Sequence, residues 1–511
     1  MWTEGYVTEI DYTHGYYREL SPGLLRFACL VRGLSLPDPQ NMKYLELGFG
    51  QGLSVNIHAA ACPGEYWGTD FNPAQVANAR DLLDASGANA HLFDHSFAEL
   101  AARTDLPEFD VIALHGIWSW VSPENQQVIV DIVRRHLKVG GILYLSYNTL
   151  PGWAPAMPFR HLMQLHAHVV GADAQGMVGK IDAALGFSRE VVDSGALFFR
   201  ANPSVGERMK KVAEQNRHYL AHEYFNADWQ PMYFSEVAAR LEEAKLSYAT
   251  TAHLLDHIDS INLTAEATHQ MGNINHTVLR ETVRDYHVNQ QFRRDIFTRG
   301  QRWLSSAEQM NRLREVRVVL VTDPAEIPFT VKGNLGEAQL QEAIYRPLID
   351  WLAAHGPSTL AQLETGLAGA INLPAIIQAT LILMGNGHLS LAQDEATIGQ
   401  TRAASNRLNQ ALCERARYSP DVSYLASPVT GGGVALSRFN QLFLLARQQG
   451  MTTPEQWAGY VWDVLAEQNQ RIVKDGKPID SPEDNRAELL AQAREFQDKR
   501  LDLIQTLGIS I

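Results

Sequence analysis

Gly48, Gly50 and Gly52 stand at alternate positions two residues behind Glu46, directly after the apolar run Lys43 to Leu47. A glycine-rich turn between a strand and a helix lets the backbone approach a ligand closely at the carboxyl end of a parallel sheet. Its chemistry is that of a nucleotide-type site. Leu53 fills the position where a dinucleotide G-x-G-x-x-G fingerprint needs its third glycine, so the pattern is Glu-x-Gly-x-Gly-x-Gly instead. Asp70 lies twenty residues past Gly50, at the end of the next predicted strand. A carboxylate there can accept both hydroxyls of a ribose. Asp94 ends the third predicted strand, and His115 and Gly116 follow the fourth. Tyr12, Tyr16 and Tyr17 precede the first strand and could fold over a ligand as a lid. Each residue has a plainer reading: Asp70 and Asp94 as turn caps, His115 as a satisfied buried histidine, the tyrosines as packing faces.

The elements that must position these residues alternate regularly from about 40 to 150. Strands are predicted at Lys43 to Leu47, Glu65 to Asp70, Ala90 to Asp94, Phe109 to Leu114 and Ile142 to Tyr147, with helices between them. That alternation predicts a parallel α/β sheet. Residues 155–220 read as a helical insertion. Strand character returns at Leu246 to Thr251, after a helix that Ser235 is expected to cap, and 265–312 again reads as helical. Val316 to Val321 and Phe329 to Val331 suggest a hairpin, and three helices followed by a strand at His388 to Leu391 make 313–400 resemble a winged helix. The last 110 residues read as helical, broken by Ser427 to Gly433, whose triple glycine is a loop or an anion cradle without a P-loop Lys-Ser/Thr. The expected units are therefore 1–154, 155–220, 221–312, 313–400 and 401–511.

Composition excludes several classes. Lys plus Arg is 43 and Asp plus Glu is 57, a formal charge of −14, which opposes phosphate-backbone binding. Between Asn334 and Gln400 the lone cation Arg346 faces six acids, so the winged-helix-like unit is read as a protein contact and no nucleic acid is expected. Cys29, Cys62 and Cys413 are sparse and far apart, as in a reduced compartment. The His pairs 91/95, 218/222 and 253/257 have helical i, i+4 spacing but no HExxH context, so no metal is assigned. The acidic amino terminus is no signal peptide. Leu373 to Met384 is too short to span a bilayer of about 30 Å, so a cytoplasmic protein without membrane insertion is expected.

The Glu46–Gly52 pattern with Asp70 twenty residues on resembles class I S-adenosylmethionine (SAM) methyltransferases. Further stretches narrow the resemblance: Gly5-Tyr6, Asp11 to Tyr17, His115-Gly116-Ile117-Trp118-Ser119-Trp120, Ser146 to Trp153, and His222-Glu223-Tyr224-Phe225-Asn226. Together they are similar to bacterial methyltransferases with a methyltransferase regulatory domain, whose characterised relatives methylate lysines of outer-membrane proteins. The resemblance implies a Rossmann-like sheet with SAM as cofactor. It implies that Glu46 and Gly48 to Gly52 cradle the methionine end, that Asp70 holds the ribose, that Asp94 contacts the adenine, and that Tyr16, Tyr17 and His115 border the cofactor. A lysine acceptor would need an apolar, aromatic channel, for which Trp118, Trp120, Tyr147 and Trp153 are candidates, with Asn148 or His115 accepting from the amine. Core packing is the other reading of Trp118 and Trp120. A small-molecule O- or N-methyltransferase and a non-catalytic SAM-binding interaction protein are the alternatives. The insertion's apolar positions, Leu162, Met163, Val169, Leu185, Phe187, Leu197 and Phe198, would pack on the sheet or join two copies in a homodimer.

Overall fold

A computed structural model describes residues 14–37, 41–171, 176–226, 228–474 and 476–511. Tyr12 and the stretch from Gly5 to Thr13 lie outside them. Seven strands form the central sheet: β1 (Lys43–Leu47), β2 (Glu65–Thr69), β3 (Ala90–Phe93), β4 (Phe109–Leu114), β5 (Leu137–Asn148), β6 (Leu246–Thr251) and β7 (Phe292–Arg299). Their order is β3-β2-β1-β4-β5-β7-β6. The first five are parallel, and β7 runs antiparallel to both β5 and β6. The order reverses between β1 and β4, the switch point outside whose carboxyl ends such sheets bind ligands. Helices α1 (Pro22–Val31), α2 (Leu53–Ala61), α3 (Pro73–Ser86), α4 (Phe97–Ala101) and α5 (Pro123–His136) pack around this sheet. Several start where the sequence supplies a cap: Asn72, Ser96 and Ser122 each accept a backbone N–H of the first turn.

Strand β7 interrupts the stretch 265–312 that reads as helical, which is otherwise helical at Ala265–Gly272, Thr277–Val288 and from Ser306. Its alternation is disguised by Arg293, Arg294 and Asp295, which look solvent-facing in sequence. Arg293 is instead buried, donating to Asp285 at 2.6 Å, Asp295 at 2.7 Å and Glu281 at 3.2 Å. Helices at Ala265–Gly272 and Thr277–Val288 do precede the strand. The helix before β6 starts at Phe234, one residue before the expected Ser235 cap. Its first turn is closed by the Glu236 carboxylate, which accepts the Tyr233 N–H at 2.9 Å.

Among the described residues the insertion forms five α-helices: α6 (Met157–Val169), α7 (Gly176–Asp193), α8 (Leu197–Ala201), α9 (Pro203–Ala213) and α10 (Arg217–Tyr224). They build a core of their own around Phe159, Met163, Ile181, Leu185, Phe199 and Leu220. Met163 and Leu185 therefore pack within the insertion and not on the sheet, while Val169 and Leu197 are exposed at 69% and 75%.

Beyond the sheet, the expected hairpin between 316–321 and 329–331 does not form. Strand β8 (Arg317–Leu320) pairs instead with β11 (Ser358–Thr359) and β12 (Leu389–Leu391), whereas β9 (Thr330–Gly333) pairs with β10 (Gly336–Gln339). Almost all of β8 is buried and is flanked on both edges, which leaves 330–333 to pair locally. Helices Glu342–His355, Leu360–Gly366 and Leu373–Gly385 cover this small sheet. In the C-terminal helical region the triple glycine belongs to a hairpin, β13 (Tyr424–Ser427) and β14 (Gly432–Ala435). A Cβ on Gly432 would stand 2.5 Å from the Tyr16 hydroxyl, and one on Gly433 would stand 3.0 Å from its ring. The glycines make room for Tyr16, which occupies the place where an anion cradle is the other expectation. Among the described residues no helix is long and apolar enough to cross a membrane.

Replacing Arg293 with Ala strands three carboxylates, two of them fully buried, at the centre of the β5-β7-β6 edge. Chemical denaturation is expected to show a loss of about 3–5 kcal/mol, the usual cost of breaking a buried pair from one side.

Candidate active site

A cavity opens at the carboxyl ends of β1, β2 and β4, bordered by Glu46, Gly48, Phe49, Gly50, Gln51 and Ser54 from the first turn. Gly48, Gly50 and Gly52 all have positive φ, between 57° and 74°, a region that side chains avoid. They divide the work. A Cβ on Gly48 would lie 2.6 Å from Ile117 at the cavity wall, whereas one on Gly52 would lie 2.3 Å from the Cβ of Ala79. Gly52 thus lets α2 approach α3 and does not border the cavity.

Asp70 closes the turn from the β2 side. Its Oδ2 accepts the Gly50 N–H at 2.9 Å and its Oδ1 the Asn72 N–H at 3.0 Å. The carboxylate is therefore both a turn cap and a cavity wall, and each oxygen keeps a lone pair for a ligand hydroxyl. Burial raises its pKa to about 6, against which the two N–H bonds act. Glu46 is buried beside it and accepts from the Tyr44 hydroxyl at 3.1 Å; burial pushes its carboxyl up to about 8.

Across the cavity, Tyr17 stacks on His115 with ring centroids 4.1 Å apart, while its backbone N–H donates to Ser54 Oγ at 3.0 Å. The His115 Nδ1 pairs with the Tyr144 hydroxyl at 2.8 Å, and burial lowers its pKa to about 4, leaving a neutral imidazole. Gly116 has φ +66°, and a Cβ there would meet nothing within 4 Å, so its backbone faces open cavity. Its N–H donates to Ser146 Oγ at 2.7 Å.

Tyr17, Glu46, Gly48, Gly50, Asp70, His115 and Trp120 all face this one space. Other expected residues lie elsewhere. Tyr16 points the opposite way from Tyr17, bonding His58 Nε2 at 3.1 Å and packing on Tyr424. Asp94 is half-exposed beside Arg80, 3.6 Å away, and the wall at that point is His95, Ser96 and Phe97. Trp118 is fully buried in the core between sheet and α5, the packing role. Side chains alternate along β5: Tyr144 and Ser146 reach the His115 side, so Tyr147 projects to the other and donates to Asp295 at 2.7 Å. Asn148 is buried off the cavity, its backbone N–H donating to Ser119 Oγ. Trp153 sits against Trp229, with Arg208 3.8 Å from its ring centroid.

Two wall residues come from outside the sheet's first half. Glu223 of α10 and the following Asn226 border the same cavity. The Arg160 guanidinium donates to the carbonyl oxygens of Glu223 and Asn226, at 3.5 and 3.2 Å. The same guanidinium lies 4.4 Å from the ring centroid of Trp229. The sequence signalled this segment only as part of a family resemblance. Nothing in the spacing of residues 222–226 links them to a turn at 48–52. Among the described residues no group of three or more His, Cys, Asp or Glu could hold a metal ion.

A seven-stranded sheet with one reversed strand, a glycine turn after β1 and a carboxylate ending β2 defines a class I SAM-dependent methyltransferase. Family models agree: "Methyltransferase domain" matches residues 45–141 and "Predicted methyltransferase regulatory domain" matches 216–299. The chain belongs to the family of methyltransferases that combine these two regions, and SAM is its cofactor. It is 40% identical over 513 residues, the full length of both chains, to the uncharacterized protein sll1526 of Synechocystis sp.. Its fold is similar to PKMT2 from Rickettsia typhi in complex with AdoHcy, with a TM-score of 0.69 at 19% identity over 95% of this chain and 98% of that one. A second structure of PKMT2 gives 0.67 at 18% identity. The residues around the cavity fit SAM: backbone amides, the Asp70 carboxylate and the Glu46 carboxyl for its polar groups, and Phe71, Phe97 and Ile117 for an apolar base.

Asp70→Ala is expected to weaken SAM binding by about 1–3 kcal/mol in calorimetry, since charge-assisted hydrogen bonds are lost. Because the wild-type carboxyl titrates near pH 6, SAM affinity should fall as pH drops through that value and the oxygens are protonated. Over the same window His115 stays neutral, and Glu46 titrates higher. Asp70→Asn should flatten this dependence.

Proposed function

We propose that this chain transfers methyl groups from SAM to lysine side chains of a protein substrate. The observation that carries the reading is the stretch of cavity wall from His115 to Val121. There the Trp120 ring and apolar Ile117 and Val121 stand beside a neutral imidazole. A lysine amine has an ordinary pKa near 10.4, and losing its proton at pH 7 costs roughly 4–5 kcal/mol at about 1.4 kcal/mol per unit. Apolar walls lower that cost by penalising the charged form, and an aromatic ring holds a methylammonium by cation–π attraction. The whole-length similarity in fold to PKMT2 supports the same reading.

When bound, SAM supplies a methyl group on a sulfonium, which leaves its bonding pair on sulfur as it transfers. This chain's part is positioning more than acid–base work. The amides of Gly48 to Gln51 and the Glu46 carboxyl hold the methionine end, Asp70 accepts from the ribose, and His95 to Phe97 wall the adenine. Tyr17, stacked on His115, closes the cavity against water. The neutral His115 imidazole accepts a hydrogen bond from the incoming amine. The protein works in the cytoplasm as a homodimer joined through the insertion, whose Val169, Val170 and Leu197 are exposed; sedimentation should show a dimer that Leu197→Glu dissociates.

Incubating the full chain with labelled SAM and a cell lysate, then identifying products by mass spectrometry, tests the reaction. N-methylated lysine in a protein is expected, and label confined to small metabolites would contradict it. Trp120→Ala should lower turnover at least tenfold while SAM affinity stays near wild type. Trp118→Ala should instead lower the melting temperature.

A further inference from the structure

The Glu223 carboxylate is an anomaly in the cavity wall. It is carried by α10 of the insertion, far in sequence from the glycine turn, yet it lines the same cavity as Trp120 and Asp70. Its backbone is anchored by Arg160, itself only 5% exposed. Three residues on, the Asn226 carbonyl accepts from both Arg160 at 3.2 Å and Gln164 at 3.0 Å. The segment is thus tied to α6. The carboxylate itself has no ion pair within 4 Å and no hydrogen-bond donor among the described residues. Arg160 and Arg208 influence it only at longer range, and burial pushes its pKa up to about 7.

Glu223 is half-buried, and a carboxyl in such a place without a partner either takes up a proton or pairs with a cation that something else supplies. Neither guanidinium is free to move in. Arg160 is committed to backbone carbonyls and Gln164, and Arg208 to Trp153, Tyr224 and Gln291. With both guanidiniums committed elsewhere, the cavity is the route by which a cation reaches the ionised carboxylate, and Trp120 on the same cavity wall offers an aromatic surface suited to a positive group.

We propose that Glu223 is the acceptor-binding residue, pairing with the ammonium of the lysine as it arrives at the cavity wall, before the amine loses its proton beside Trp120 and His115, and with the methylammonium that leaves. The inference rests on the lysine reading above and adds the group that recognises the acceptor's charge. It also gives the region matched as a regulatory domain, 216–299, a direct place in substrate binding.

The test uses n-butylammonium, which carries the charge and carbon chain of a lysine side chain. It is titrated calorimetrically into the full chain saturated with S-adenosylhomocysteine. Wild type should bind it saturably and should not bind n-butanol. Glu223→Gln and Glu223→Ala should each weaken the binding at least tenfold, with affinity for S-adenosylhomocysteine unchanged within twofold as proof of folding. Butylammonium binding by Glu223→Gln at wild-type strength would overturn the assignment of Glu223 alone. Absence of saturable binding in wild type, with S-adenosylhomocysteine still bound, would overturn the amine acceptor and Glu223 together. In the methyl-transfer assay, a raised KM with little change in kcat is expected for Glu223→Gln, and an unchanged KM would again count against Glu223 only.

Discussion

Four consecutive side chains bind four different parts of the molecule. Tyr16 fills the space left by Gly432 and Gly433 and bonds His58 of α2. Tyr17 lies on His115 at the end of β4. Arg18 donates to the carbonyl oxygens of Met384 and Gly385, at 2.7 and 2.6 Å, at the end of the helix Leu373–Gly385. Glu19 stands 3.5 Å from Arg294 of β7. Cation-to-carbonyl bonds at a helix end are among the stronger ones, about 1.5–3 kcal/mol each. Tyr17 has an extended backbone, which sends its side chain opposite to that of Tyr16, and the 3-10 turn Arg18–Leu20 that follows redirects Arg18 and Glu19. Seven residues, 14 to 20, can therefore tie the sheet, the middle region and the C-terminal hairpin to the wall of one cavity.

The same economy explains why the cavity cannot be assigned to one stretch of sequence. The region matched as a methyltransferase domain ends at residue 141, early in β5. Strands β6 and β7 both lie within 216–299, the region matched as regulatory. Without it the sheet would stop at β5 and expose that strand's edge. Glu223 and Asn226 lie in the same matched region. The regulatory region thus completes the methyltransferase sheet with two of its seven strands and forms part of its cavity. The helices of 157–224 keep an apolar core of their own, separate from those of the sheet, and this insertion reaches the cavity through its last helix.

What could be read from sequence follows from how local each constraint is. The turn from Glu46 to Gly52 and the carboxylate at Asp70 are set by spacing along one strand–turn–helix unit, and spacing is what a sequence displays. Which of two neighbours faces the ligand is set by register, which it does not. Hence Tyr17 and not Tyr16 borders the cavity, His95 and not Asp94 forms its wall, and Tyr147 projects to the opposite face from Ser146. Strand β7 was hidden for a different reason: Arg293 and Asp295 neutralise each other in the interior, so their charges mimic a solvated helix. Trp118 and Trp120, two residues apart, divide between core and cavity.

The central claim is that one cavity is assembled from the 14–20 segment, the glycine turn and the end of the insertion together. Hydrogen–deuterium exchange of the full chain with and without S-adenosylhomocysteine tests it most directly. Slower exchange is predicted in three separate peptides, covering Tyr17 to Leu20, Gly48 to Ser54 and Glu223 to Asn226. Protection confined to peptides within 45–141, with the other two unchanged, would contradict it.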